Sequence, residues 1–226
     1  MLTPALDAVV QRIENAARQY GRPARLLAVS KRQPAAAVAA LAAAGQRAFG
    51  ENYVQEAQGK QAELRDPTLE WHLIGHLQSN KAATAAQAFD WVQTVDRAKL
   101  VPLLAAARPD ERGPLNVLIQ VNIDDEASKH GCRPEDAGAL ADAVAAAAPR
   151  LALRGLMAIP APLEDMDRRR AAFARMKTLF DTLAASHPSM DTLSMGMSED
   201  FDLAIAEGAT MVRVGTALFG ERAPRS

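Results

Sequence analysis

The chain has 226 residues with 26 basic and 27 acidic side chains, and its net charge of −1 argues against a surface for nucleic acid or an anionic membrane. Its one cysteine, Cys132, excludes an internal disulfide and a multi-cysteine metal site, and fits a reducing cytoplasm. A chain of this length can bury one large α/β core, so we expect a single domain over residues 1–226.

The N-terminus has neither the basic flank nor the apolar core of a signal peptide. No stretch approaches the roughly 18 uninterrupted apolar residues of a membrane-spanning helix, so we expect a soluble, cytoplasmic protein without membrane or nucleic-acid partners. His72 and His76 lie four residues apart, but on a predicted strand and the loop after it. We therefore expect no metal site.

The first predicted element is an amphipathic helix over residues 3–20, with Pro4 suited to its first turn and Gly21 ending it. An apolar run over residues 26–29 follows and predicts a buried strand with Lys31 at its end. Seven further apolar runs then alternate with helical patterns. They cover residues 48–53, 71–75, 91–96, 115–123, 153–159, 192–198 and 211–219.

Alternation of strands and helices, without hairpin signals such as Asn-Gly, predicts a parallel sheet. Eight strands are the number that closes into a (β/α)8 TIM barrel. The alternative is an open doubly wound sheet, which the absence of a Gly-x-Gly-x-x-Gly motif after the first strand disfavours. We expect no helix after the eighth strand, and we expect the additional N-terminal helix to cover the resulting gap.

Lys31 lies where the first strand passes into a loop, the place where parallel α/β folds keep their chemistry. An amine at the rim of an apolar core loses hydration, which lowers its pKa and favours the neutral form that attacks an aldehyde. The alternative is an ordinary surface lysine that happens to close a strand.

Small and hydroxylated residues follow the seventh strand and end the eighth. Ser194, Gly196 and Ser198 belong to the first group, and Gly215 and Thr216 to the second. In TIM barrels these two loops commonly hold a phosphate, through backbone amides and hydroxyl groups. The barrel also makes the first and eighth strands neighbours, which brings Lys31 to this predicted phosphate site. A phosphate site beside such a lysine suits pyridoxal 5'-phosphate (PLP), which carries both a phosphate and an aldehyde.

Arg213 interrupts an apolar strand two residues before Gly215. A guanidinium there can donate to the pyridine nitrogen of PLP but cannot protonate it, which disfavours transamination and decarboxylation. The alternative is a structural ion pair with Glu51 or Asp96.

Six sequence blocks together resemble the pyridoxal phosphate homeostasis protein family of the YggS/PROSC type. They are AVSK (28–31), FGENYVQE (49–56), WHLIGHLQSNK (71–81), LRGLM (153–157), LSMGMS (193–198) and VRVGT (212–216). The resemblance implies a barrel akin to the N-terminal domain of alanine racemase, with PLP as a Schiff base on Lys31. It also implies Arg213 at the ring nitrogen, Asn52 near the ring, and Ser194, Ser198, Gly215 and Thr216 around the phosphate.

Members of that family bind PLP without a defined reaction and influence the balance of amino and keto acids. The resemblance therefore implies binding, buffering or delivery of PLP, with apo forms of PLP-dependent enzymes as partners. We also expect a monomeric chain and no catalytic residue. The first alternative is a PLP-dependent amino-acid racemase or a related amino-acid enzyme. A racemase needs a second acid or base, a role for which Tyr53 is the candidate that can reach the mouth. The second is a sugar-phosphate barrel with Lys31 as an aldolase-type lysine, which leaves Arg213 without a role.

The remaining candidates are two histidines and two lysines. We expect His72 to be packed in the core, whereas His76 can reach the mouth of the barrel. Lys81 and Lys129 are expected to be solvated, with reception of departing cofactor as a further hypothesis.

Overall fold

A computed structural model describes residues 2–124, 130–160 and 165–220. The strands are β1 Arg25–Val29, β2 Ala48–Glu51, β3 Glu70–Leu73, β4 Trp91–Val95, β5 Leu115–Val121, β6 Leu151–Ala158, β7 Thr192–Ser194 and β8 Met211–Val214. They form a closed barrel in that order, and β1 pairs with β8 in parallel. The predicted TIM barrel is confirmed, and the alternative of an open sheet is wrong.

Helices surround this barrel. They are α1 Leu2–Tyr20, α2 Ala35–Ala43, α3 Val54–Leu64, α4 Ala82–Ala88, α5 Leu100–Ala107, α6 Ala137–Ala146, α7 Met166–Ser186, α8 Phe201–Ala206 and α9 Thr216–Phe219. Among the described residues, no helix combines the length and the apolar character needed to cross a membrane.

The additional helix α1 covers the gap beside β8, as expected. It packs against α2, α8 and α9. Its buried residues recur at the three- and four-residue spacing of one helical face: Leu6, Val9, Ile13 and Ala16.

Two strands, β7 and β8, end well before the predicted positions. The run over 211–219 was predicted as one strand, but β8 ends at Val214 and the short helix α9 follows. The expectation that no helix follows the eighth strand was therefore wrong. Apolar residues such as Leu218, which is buried, fit one face of a helical turn as well as they fit a strand.

Strand β7 likewise ends at Ser194, although its run was predicted to continue to Ser198. Gly196 has a φ of +91°, which turns the chain out of the sheet. A Cβ atom on this residue would lie 2.5 Å from the Cβ atom of Ala204 in α8. The close approach of β7 and α8 thus requires glycine at this position.

Candidate functional site

A cavity of about 280 Å³ opens at the carboxyl ends of the strands. Six of the seven residues predicted to bind a cofactor line it, and they are Lys31, Asn52, Ser198, Arg213, Gly215 and Thr216. Ser194, the seventh, is fully buried in the barrel and is not part of this lining. Closure of the barrel therefore brings together loops that follow strands far apart in the sequence.

The turn that carries Lys31 has a constrained backbone. The Ser30 N–H group donates to the Gly50 carbonyl at 3.0 Å, and the Gln33 N–H group donates to the Ser30 carbonyl at 3.0 Å. Arg32 has a φ of +62°, in the left-handed region that residues other than glycine seldom adopt. Lys31 itself is half-buried at the top of β1.

Lys60, on α3, anchors this turn from behind. Its ammonium donates to the Ser30 carbonyl at 2.7 Å, to Glu51 Oε1 at 2.6 Å and to Glu56 Oε1 at 2.8 Å. Ser30 Oγ also donates to Glu51 Oε1, at 2.5 Å, and the Arg32 N–H group donates to Glu56 Oε1. Both residues that flank Lys31 in the chain are thus tied to this network.

The Lys60–Glu51 pair at the centre of this network is almost fully shielded from water. The side chain of Lys60 is 6% exposed and that of Glu51 is 0% exposed. Burial raises the pKa of the Glu51 carboxyl above its ordinary value, against the lowering effect of hydrogen bonds from Lys60 and Ser30. Lys60 was not predictable as a buried residue, because Glu56 and Lys60 form an i, i+4 pair of the kind that usually lies on a solvated helix face.

The predicted phosphate loops meet on the side of the cavity next to β1. Ser198 Oγ, in the loop after β7, accepts a hydrogen bond of 3.4 Å from the Ala217 N–H group at the start of α9. A Cβ atom at Gly215 would lie 3.3 Å from the Val29 carbonyl oxygen, closer than an ordinary contact. Glycine therefore keeps the β8 loop close to β1 and to Lys31.

Arg169 is a cavity residue that sequence analysis missed. It lies in the first turns of α7, which Asp165 caps by accepting from the Asp167 and Arg168 N–H groups at 3.0 and 3.2 Å. Its side chain is 11% exposed and lies 3.4 Å from the Asp200 carboxylate. Three arginines follow one another in this segment, and only the middle one is buried, which no local pattern distinguishes.

Arg213 is 4% exposed, and its hydrogen bonds are to neutral oxygens. Its Nη1 donates to Ser194 Oγ at 2.8 Å, and its Nη2 donates to the Ala158 carbonyl at 2.7 Å. Burial lowers the pKa of the guanidinium to about 10, so Arg213 stays charged at neutral pH. Ser194 was predicted to contact phosphate, but the structure places it beneath Arg213 as a positioning residue.

The ion pair considered for Arg213 is not formed. Glu51 pairs with Lys60 at 2.6 Å. Asp96 pairs with Arg97 at 2.5 Å. Each of the two acids considered as a partner of Arg213 thus pairs with a different cation.

A directed chain of hydrogen bonds continues from Ser194 through the barrel interior. Ser194 Oγ donates to Gln93 Oε1 at 2.7 Å, and the Gln93 amide lies 2.9 Å from His72 Nδ1. His72 Nε2 lies 2.8 Å from Glu70 Oε1. Because a carboxylate only accepts, this contact assigns the ring proton to Nε2 and leaves Nδ1 to accept from Gln93.

The far end of this chain is a stabilised carboxylate. Burial alone would raise the pKa of Glu70, but the hydrogen bond from His72 and the charge of Arg25 lower it to about 2. Burial also lowers the pKa of His72, so its ring is neutral. His72 stacks on Trp91 with ring centroids 5.1 Å apart. It is a core histidine, as predicted.

Asn52 supplies an unsatisfied polar atom at the cavity. Its Oδ1 is buried and has no hydrogen-bond partner among the described residues. Glycine at position 75 allows the Asn52 backbone to approach closely, since a Cβ atom there would lie 2.1 Å from the Asn52 carbonyl oxygen. A buried amide that faces a cavity without a partner is suited to a polar ligand.

The other candidates lie away from this lining. Tyr53, which the racemase alternative needs as an acid or base, is 53% exposed. It lies outside the cavity lining that the described residues form. His76 and Lys81 follow β3 on another part of the mouth, and Lys129 lies outside the described residues.

Comparison with known proteins agrees with this geometry. A model of the alanine racemase N-terminal domain family matches residues 5–223. The pyridoxal phosphate homeostasis protein of Pseudomonas aeruginosa is 56% identical over 217 residues, covering 95% of this chain and 93% of that protein. That of Escherichia coli K12 is 51% identical over 223 residues, covering 96% and 95%. The structure of PipY from Synechococcus elongatus with PLP bound has a TM-score of 0.84 at 39% identity, covering 97% of this chain and 100% of that one. The chain therefore belongs to the pyridoxal phosphate homeostasis proteins, within the alanine racemase N-terminal domain family.

Proposed function

We propose that this protein binds PLP in the cavity at the mouth of its barrel and acts in intracellular PLP homeostasis by binding, buffering or delivering the cofactor. The observation that carries the proposal is the meeting of Lys31 with the Ser198, Gly215 and Thr216 loops in one cavity. The relatives that share its fold and about half its sequence are named for that role, and PipY has been solved with PLP bound.

Lys31 is proposed to hold PLP covalently. Its neutral amine would condense with the cofactor aldehyde to form a Schiff base, with loss of one water molecule. The anchoring of Ser30 and Arg32 supports this role, because it limits the positions that the amine can take.

The charge balance of the cavity suits an anion. Lys31, Arg169 and Arg213 line it, against the carboxylates of Glu199 and Asp200. We assign the phosphate to the backbone and hydroxyl groups of Ser198, Gly215 and Thr216, and attraction at longer range to Arg169. Asn52 would satisfy its buried Oδ1 with a donor at the ring side of the ligand.

We further propose that the protein carries PLP and does not use it for catalysis. Arg213 remains charged at neutral pH, so it would donate to the ring nitrogen without protonating it, and this limits the electron-withdrawing chemistry that PLP supplies. The exposed position of Tyr53 argues against a racemase acid or base in the cavity. A monomeric state, a cytoplasmic location and apo-enzyme partners stay predictions.

Delivery can be tested by mixing the PLP-loaded protein with the apo form of a PLP-dependent enzyme. We expect that enzyme to regain activity while the carrier loses PLP, and we expect no turnover of amino acids by the carrier alone. Free PLP at the same concentration is the control for spontaneous release. Sustained racemisation or decarboxylation by the protein would instead establish an enzyme, and absence of any bound PLP would refute the proposed function itself.

A further inference from the structure

Two histidines and an aspartate outside the PLP cavity converge at the mouth of the barrel. His76 follows β3, Asp96 follows β4, and His130 lies in the segment between β5 and α6. One potential ligand atom from each lies within 4.8 Å of the others. We propose that these residues bind a divalent transition-metal ion of the zinc type, through two imidazole nitrogens and one carboxylate oxygen.

One separation between ligand atoms already matches the needs of such an ion. His76 Nδ1 lies 3.5 Å from Asp96 Oδ2. Bonds of about 2.0–2.2 Å to a tetrahedral Zn²⁺ place neighbouring ligand atoms about 3.3–3.6 Å apart. The His76 and His130 rings are stacked, with centroids 3.8 Å apart and planes inclined by 15°. Binding of the ion would require the partly exposed imidazoles to rotate so that a nitrogen of each ring faces it, because the cluster's ligand atoms lie within 4.8 Å of one another.

Asp96 is held in an orientation that leaves one oxygen for a ligand. Arg97 Nη1 donates to Asp96 Oδ1 at 2.5 Å, and Arg97 Nη2 donates to the Leu77 carbonyl at 2.8 Å. Oδ2 faces His76 instead. The Asp96 side chain is only 9% exposed, so its direction is fixed by packing as well as by Arg97. Partners of this kind, one shell beyond the ligands, orient metal-binding carboxylates.

The chemistry of the three ligands selects the class of metal. Nitrogen and carboxylate donors suit Zn²⁺, Co²⁺ or Ni²⁺. Cys132, two residues after His130, is not part of the cluster that the described residues form. Three protein ligands leave a fourth position for water or another small ligand. The site uses the ends of β3 and β4 and the segment after β5, so its occupancy can be tested independently of PLP binding.

The test is isothermal titration of the purified protein with Zn²⁺, with its PLP content recorded. We expect one saturable site per chain. Substituting either ligand, in His76→Gln or His130→Gln, is expected to weaken binding about tenfold or more. His187→Gln is the matched control, because His187 also lies beside an aspartate, Asp142, at 3.2 Å. Its affinity should equal that of the parent.

X-ray absorption at the zinc edge provides a second measurement on the unmodified protein. The inference predicts scattering from two imidazole rings around one zinc ion. It is wrong if no saturable binding occurs, if either ligand substitution leaves the affinity unchanged, or if the spectrum shows fewer than two imidazoles.

Discussion

Replacing Lys31 with alanine is expected to abolish covalent attachment of PLP and to weaken its binding by about two orders of magnitude, or about 2.8 kcal/mol. The contacts proposed for Ser198, Gly215 and Thr216, which line the same cavity, are non-covalent and are not altered by this change. Weak, reversible binding should therefore persist. The measurement is the PLP content after dialysis, together with the dissociation constant from a fluorescence titration.

Lys99→Ala is the matched control for this variant. Like Lys31, Lys99 lies in the segment that connects a strand to the next helix, here β4 to α5. Unlike Lys31, it is exposed. Its removal should leave PLP content unchanged. Retention of covalently bound PLP by Lys31→Ala would contradict the assignment of Lys31 and would require another lysine to hold the cofactor.

Lys60→Met is expected to have the largest effect on stability. It keeps most of the aliphatic stem but leaves the carboxylate of Glu51 buried without its cation. Removing one partner of a buried ion pair costs about 3–5 kcal/mol of the free energy of unfolding. Urea denaturation at neutral pH measures the loss. The released Ser30 carbonyl should also slow covalent attachment of PLP at Lys31, which a merely structural role would not require.

The double variant Lys60→Met with Glu51→Gln tests the cause of this loss. Because glutamine removes the buried charge, we expect it to restore part of the lost stability. Lys177→Met is the control, since Lys177 forms an i, i+4 pair with Asp181 at 2.5 Å on an exposed part of α7. Its loss should cost less than about 1 kcal/mol. Equal losses from Lys60→Met and Lys177→Met would contradict the importance given to burial.

The order of strands and helices was predictable because each strand is a short apolar run between amphipathic helices. Closure of the barrel followed from the number of strands and placed Lys31 near Gly215 and Thr216. Strand ends were less predictable. The turn at Gly196 depends on contact with α8, and the apolar residues after Gly215 suit either a strand or a helix.

Residues whose roles depend on partners far away in the sequence were not predicted. Arg169 is recognisable only once α7 packs beside the loop after β7. Lys60 is buried because α3 brings it against β1 and β2. Ser194 followed the pattern of a phosphate loop, but the inward-facing position at the end of β7 directs it to Arg213. Local sequence thus indicates which residues are candidates, whereas their tertiary contacts and burial determine the role of each.

The cluster of His76, Asp96 and His130 could not be predicted from local sequence either. Metal sites are recognised in sequence by short, fixed spacings, and these ligands follow three different strands. The two histidines that do lie close together in sequence, His72 and His76, are directed to different parts of the protein. His72 faces the barrel interior and His76 faces the mouth.

The most direct test of the central claim is borohydride reduction of the unmodified protein as purified, followed by peptide mapping with mass spectrometry. Borohydride converts a Schiff base into a stable amine and so fixes PLP to the lysine that held it. We predict loss of the visible absorption band and a single PLP-labelled peptide, modified at Lys31. A label on a different lysine, or no label even after PLP is added, would contradict the proposed cofactor site.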